Sequence, residues 1–132
     1  MRLLRYLVPQ TIRAPFARYS HAVEITGAAR WLICSGQLGV SVSDKIPETA
    51  DAQAVLCFEA VAECLVAANM SFADVVRINA YVTDRDYMTP YMTVRDRYIG
   101  SPEPASTLMI VSGFARPEFK IEVEVIAAKA AD

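Results

Sequence analysis

Ile121-Glu122-Val123-Glu124-Val125-Ile126-Ala127 is the stretch on which the fold turns. Apolar and acidic residues alternate with a period of two, the spacing at which successive side chains leave opposite faces of a β-strand. Read as a strand over residues 119–128, it presents Ile121, Val123 and Val125 on one face and Glu122 and Glu124 on the other. The apolar face needs a cover, and the segments upstream supply it. A turn at Gly113 and Pro117 leads back to a strand over 105–111, which follows the rigid Gly100, Pro102 and Pro104 connection. Residues 86–99 read as a helix with Pro90 in its first turn, where a missing N–H costs little. Residues 75–83 read as a long strand with Val76, Ile78, Ala80 and Val82 on one face and Val75, Arg77, Asn79 and Tyr81 on the other. Residues 51–69 follow a helical period, with Val55, Phe58, Ala62, Leu65 and Val66 as the packing stripe and Asn69 as C-cap.

The first half carries three further strands, over 3–8, 19–25 and 31–35, and the turn at Gly27 predicts a hairpin between the last two. Gly36 and Gly39 flank Gln37 and end the third strand, and a polar loop through Ser41, Ser43, Asp44, Lys45 and Pro47 follows. The order β-β-β-α-β-α-β-β predicts an α+β fold, with two helices on one face of a mixed sheet. Length, and the lack of any repeat or linker, predict a single domain over residues 1–132.

Hydrophobic residues make up 54% of the chain and charged ones 21%, with a mean hydropathy of +0.25. A domain of this size buries about two-thirds of the surface its unfolded chain exposes, so part of this apolar content is expected between subunits. Thirteen Lys and Arg against fifteen Asp and Glu give a net charge of -2, the opposite of the basic footprint that nucleic acid requires. Cys34, Cys57 and Cys64 are odd in number and lie in apolar stretches, which predicts reduced thiols and a cytoplasmic protein. With His21 as the sole histidine and no zinc-type cysteine spacing, no metal is expected. No apolar run approaches the ~20 residues that span a bilayer. Arg2, Arg5, Arg13 and Arg18 precede the first acid, Glu24, a composition shared with transit peptides, although residues 3–8 read equally as an edge strand.

Four groups of residues are candidates for chemistry. Glu122 and Glu124 share one strand face, and mutual repulsion favours one of them holding its proton as a general acid or base; a solvated strand carries the same pattern. Ser35-Gly36-Gln37 ends a strand at a glycine that lets a ligand approach the backbone, or simply ends it. His21 beside Tyr19 is either a base or a structural histidine. Arg13, Arg18 and Arg116 are either carboxylate anchors or ordinary surface cations. The cysteines read as core, since buried thiols are inert.

Tyr19-Ser20-His21-Ala22-Val23, Ser35-Gly36-Gln37, residues 105–111 after Pro104, and Ile121 through Ala127 together resemble the signature segments of the Rid family, the reactive intermediate deaminases, also called the YjgF or endoribonuclease L-PSP family. The resemblance implies a chorismate-mutase-like fold and a homotrimer with a small-molecule cleft between subunits. It also implies hydrolysis of reactive enamines and imines, such as 2-aminoacrylate, to 2-keto acids and ammonia, with no cofactor. By position it makes Tyr19 a cleft tyrosine, Ser35 and Gly36 a ligand-contacting strand end, Leu108 a residue whose main chain faces the ligand, and Glu122 the glutamate that positions the attacking water. The chain departs from the family pattern at Ser106, where deaminating members carry an arginine that pairs with the substrate carboxylate, and at Met92, where an asparagine is usual. Loss of a bidentate arginine from such a cleft costs about 2 to 5 kcal/mol in binding an anion.

Two functions of different class follow: a hydrolase acting on small imines or enamines, and a trimer that binds a small metabolite without turnover, which Ser106 favours. A ribonuclease or translation inhibitor, attached to the family by name, fits the acidic charge balance poorly.

Overall fold

β-branched and aliphatic residues at every second position fix the central strands. In the computed structural model, which describes residues 3–131, the chain runs β1 (Leu4–Leu7), β2 (Ala22–Ile25), β3 (Arg30–Ile33), β4 (Gln37–Leu38), α1 (Ala50–Ala67), β5 (Val75–Val82), α2 (Met88–Tyr98), β6 (Ala105–Ile110) and β7 (Ile121–Lys129). β7 pairs antiparallel with β5 along one edge and with β3 and β4 along the other, and β6 lies parallel to β5. The expected α+β architecture with a mixed sheet and two helices is what the chain adopts, with β4 as an added short strand where a loop was expected.

The alternation in β5 and β7 sorts the sheet into two faces. Ile121, Val123, Val125 and Ala127 of β7 and Ile78, Ala80 and Val82 of β5 are buried with Ala54, Cys57, Phe58, Val61 and Leu65 of α1 and with Tyr91 and Val94 of α2. The register places Tyr81 opposite Glu122 and Met109, and Asn79 opposite Glu124 and Thr107. These residues share the face that no helix covers. Trp31 and Ile33 of β3 sit on that face too, opposite Ala128 and Ile126, and are 53% and 71% exposed.

Helix ends follow their local chemistry. Thr49 caps α1, its hydroxyl accepting from the Ala52 N–H at 3.4 Å. At the other end Asn69 has φ 55°, and the Asn69 and Met70 N–H groups return to the carbonyls of Val66 and Leu65 at 2.9 and 2.8 Å. That is a Schellman closure with Asn69 one position past the Ala68 cap. Pro90 lies in the first turn of α2, which begins after a 3-10 turn at Arg85–Tyr87 rather than at Asp86.

Two expectations are corrected. The hairpin between the second and third strands does not form: β2 pairs with β1, and β3 pairs with β7. The chain changes sheets at the Gly27 turn, where the Thr26 N–H bonds the Leu3 carbonyl and the Ala29 N–H bonds that of Lys129. β3 thereby gains a long central partner that β2 could not offer. The packing stripe of α1 is also rotated, since Val66 is 68% exposed whereas Gln53 is fully buried. Gln53 donates to the carbonyls of Pro47 and Glu118 at 2.8 and 2.9 Å and accepts from the Lys120 N–H at 2.8 Å, tying two loops to α1.

Gly39 makes that junction possible. A Cβ there would lie 2.4 Å from Cβ and 2.8 Å from Cα of Gln53, atoms near the helix backbone that cannot swing aside. Gly39→Ala is expected to cost about 1 to 3 kcal/mol through overpacking, read as a lower midpoint in urea unfolding with little change in slope.

Candidate functional site

A strand break brings two of the singled-out residues together. After β3 the Cys34 N–H still bonds the Val125 carbonyl at 3.0 Å, the chain steps away through Ser35 and Gly36, and β4 rejoins β7 with Leu38 opposite Glu122. A Cβ on Gly36 would lie 2.5 Å from Cδ and 2.6 Å from Oε1 of Glu122. The carboxyl therefore lies directly on the glycine backbone, and only a residue without a side chain leaves it room. The Gln37 amide donates to the Ser35 carbonyl at 3.0 Å, which holds the step in shape.

Partial burial raises the pKa of Glu122, and the neighbouring charge of Glu124 raises it further. Glu124 receives a hydrogen bond from the Tyr81 hydroxyl. Beyond it on the same face, Arg77 donates to the Thr107 hydroxyl at 2.6 Å. The pattern that also fitted solvated glutamates is thus a half-buried polar cluster bordered by Trp31, Ile33 and Met109.

Tyr19, Ser106 and Leu108 form a second group. The Ser20 N–H bonds the Pro104 carbonyl at 3.0 Å and Ser20 bridges Ala105, so the Tyr19 segment runs beside the start of β6. Tyr19 accepts from the Phe16 N–H at 3.2 Å. Ser106 and Leu108 stand opposite Ile78 and Ala80, on the helix-side face. Glu122 belongs to the other face of β7, with β5 between. One chain therefore places Glu122, with Gly36 against it, on one face and Ser106 and Leu108 on the other, with the Tyr19 segment running beside the start of β6.

The remaining candidates are engaged elsewhere. His21 Nε2 is 2.8 Å from the Arg13 carbonyl, and the Arg13 guanidinium stacks 3.7 Å from the Phe16 ring centroid. Arg18 donates to the Asp96 carbonyl at 3.3 Å and faces Glu103, and Arg116 pairs with Asp44 at 3.4 Å. Met92 packs half-buried against the core. Burial pushes the Cys57 thiol up to about 12, with Glu122 adding to the shift, and burial followed by the adjacent Cys64 raises that of Cys34. Both are poor nucleophiles. Among the described residues no group of three or more His, Cys, Asp or Glu could hold a metal ion, and no helix is long and apolar enough to cross a membrane.

The sheet order, the two helices on one face and the carboxyl pressed on a glycine at a strand break define a small mixed-sheet α+β protein with a polar cluster on its uncovered face. The family model described as Endoribonuclease L-PSP matches residues 11–129, and the chain belongs to that family, the Rid or YjgF proteins. It is 32% identical over 113 residues to the mitochondrial protein mmf2 of Schizosaccharomyces pombe, covering 84% of this chain and 87% of that one. To the mitochondrial protein mmf1 of the same yeast it is 28% identical over 111 residues, covering 83% and 67%. Its fold matches the crystal structure of the Rid-family protein YyfB from Yersinia pestis with a TM-score of 0.84 at 26% identity, covering 97% of this chain and all of that one. The two mitochondrial relatives overturn the cytoplasmic expectation. Free thiols distinguish a reducing compartment from an oxidising one and do not separate cytosol from other reducing compartments.

Proposed function

We propose that this chain, as a single domain, assembles as a homotrimer that hydrolyses small reactive imines or enamines in clefts between subunits, with Glu122 as the proton-transferring group. The observation that carries the reading is the contact between Glu122 and Gly36. A partly desolvated carboxyl with a raised pKa lies on the Gly36 backbone next to the exposed Ser35, the side from which a planar C=N group can approach. Glu122 takes a proton from water as the water oxygen adds to the imine carbon and passes it to the nitrogen; it then carries the remaining hydroxyl proton to the nitrogen as the C–N bond breaks, leaving the carbonyl and ammonia. The sum is imine plus water giving a carbonyl compound plus ammonia, with no redox change. A general acid-base group is most effective when its pKa lies near the working pH.

The second copy is needed for a geometric reason. Ser106 and Leu108 lie across β5 from Glu122 and on the opposite face, with the Tyr19 segment beside them at β6, so a cleft lined by both groups draws them from two subunits. The exposed Trp31, Ile33 and Met109 support burial of the uncovered face against a neighbour. The mitochondrial relatives support a mitochondrial setting.

A non-catalytic metabolite-binding trimer is the second reading, favoured by a serine at position 106. Two measurements decide. Sedimentation equilibrium should give about three chain masses, and a stable monomer at micromolar concentration would remove the shared cleft. Freshly generated 2-iminobutyrate should release ammonia faster with the protein than without, whereas ligand-dependent melting shifts without product would favour binding alone.

A further inference from the structure

We infer that Tyr81 is a positioning residue that divides the Glu122–Glu124 pair, engaging the Glu124 carboxyl by a hydrogen bond and leaving Glu122 as the group that gains and loses the proton. The inference rests on the reading of Glu122 given above and goes beyond it by naming what separates the two carboxyls. Tyr81 stands directly opposite Glu122 on β5, yet its hydroxyl reaches diagonally to Oε1 of Glu124. A phenol donates one hydrogen, and a hydrogen bond to the charged form of a carboxyl favours that form. Glu122 has no hydrogen-bond donor among the described residues and is pressed instead against the Gly36 backbone. The two carboxyls of this strand face thus differ in kind, one with a donor and one without.

The surrounding groups agree. From β5, Arg77 is bonded to Thr107 and also acts on Tyr81 by its charge. From α1, the Cys57 thiol feels the charge of Glu122 and is itself held protonated by burial. β4 presents Gln37, whose amide is committed to the Ser35 carbonyl. β3 contributes the apolar Trp31 and Ile33, and β6 the uncharged Thr107 and Met109. The bond to Glu124 is also the main cause of the raised pKa of Tyr81, so the hydroxyl remains a donor throughout the carboxyl range.

Carboxyl-carbon NMR titration of the intact protein, with glutamate labelled and assigned through Glu122→Gln and Glu124→Gln, reads both groups directly. In the wild type Glu122 should titrate above the ordinary carboxyl range, in a step of its own. Tyr81→Phe keeps the ring and removes the donor. The Glu122 curve should then broaden and move by at least about half a pH unit toward lower pH, the behaviour of a coupled pair without a preferred site. Glu124→Gln is the second variant: Glu122 should titrate at lower pH once the repulsion is gone, and the Tyr81 phenol, followed by ultraviolet titration, should ionise earlier. An unchanged Glu122 curve in Tyr81→Phe, or a wild type in which Glu122 titrates below the ordinary carboxyl range, overturns the inference. The separated titration together with full activity in Glu122→Gln overturns the hydrolytic role instead and leaves the division of the pair standing.

Discussion

Glu122→Gln is expected to lower kcat/KM for a freshly generated imine by at least about a hundredfold, in line with the roughly 10²–10⁴ that general acid-base groups contribute. The amide keeps nearly the shape of the carboxyl against Gly36 and loses the ability to exchange a proton. Sedimentation should be unchanged, because the substitution removes no core contact. Stability gives an independent check with a definite sign. The folded-state pKa of Glu122 is raised, first by burial and then by Glu124, so the neutral carboxyl suits the fold better than the charged one. Its favourable contribution is complete below the ordinary carboxyl range and is lost as pH rises through the raised value. The melting temperature of Glu122→Gln relative to wild type should therefore be higher at about pH 8 than at about pH 4. A variant that retains full turnover would move the chemistry to another residue, and a relative stability that falls with pH would contradict the desolvated setting of Glu122.

The legible part of this molecule is its periodic part. The alternation in β7 and β5 identified both strands and their faces, because a period of two is enforced by the pleat whatever the neighbours do. Helix α1 was legible as an element but not in its orientation. Apolar residues surround it on most sides, from Val55 and Leu56 through Val61 and Ala62 to Val66, so no single stripe stands out. A glutamine that ties down two loops from within the core carries no signature in the sequence. The hairpin expectation failed for a related reason: Gly27 does turn the chain, but which strand lies next to β3 is decided by the length and burial of β7, far away in sequence.

The site divides along the same line. Glu122 and Gly36 were each nameable as residue types at suggestive positions, and their contact arises only when β4 returns to β7 beyond the strand break. The link from Tyr81 to Glu124 joins residues on different strands by a diagonal that no spacing rule marks. The separation of Tyr19, Ser106 and Leu108 from Glu122 was likewise invisible, since it depends on β6 lying beyond β5 and on the face toward which Ser106 is directed.

Ser106→Arg should raise kcat/KM for 2-iminobutyrate or 2-aminoacrylate by at least about tenfold, or ~1.4 kcal/mol. An arginine offers a carboxylate two parallel donors in fixed geometry, and the benefit is in binding and orienting the substrate, both of which lower the barrier to water attack. Ser106 is half-buried on β6 beside the Tyr19–Ser20 segment, so unchanged sedimentation of the variant is the check that the longer side chain is accommodated. Within its own chain the new guanidinium would point away from Glu122, on the far side of β5, so any gain must come from the guanidinium introduced on one subunit acting together with Glu122 of the next. Two controls make that dependence visible. An imine without a carboxylate should show no improvement, since the added cation has nothing to hold. The doubly substituted Ser106→Arg, Glu122→Gln chain should be inactive alone yet regain turnover when assembled with chains that carry the native Glu122, because one mixed cleft then joins the new cation to an intact carboxyl. An intact trimer whose activity on both substrates is unchanged by Ser106→Arg would mean that the cleft differs from that of a deaminase in shape as well as in charge, and the metabolite-binding reading would then take precedence.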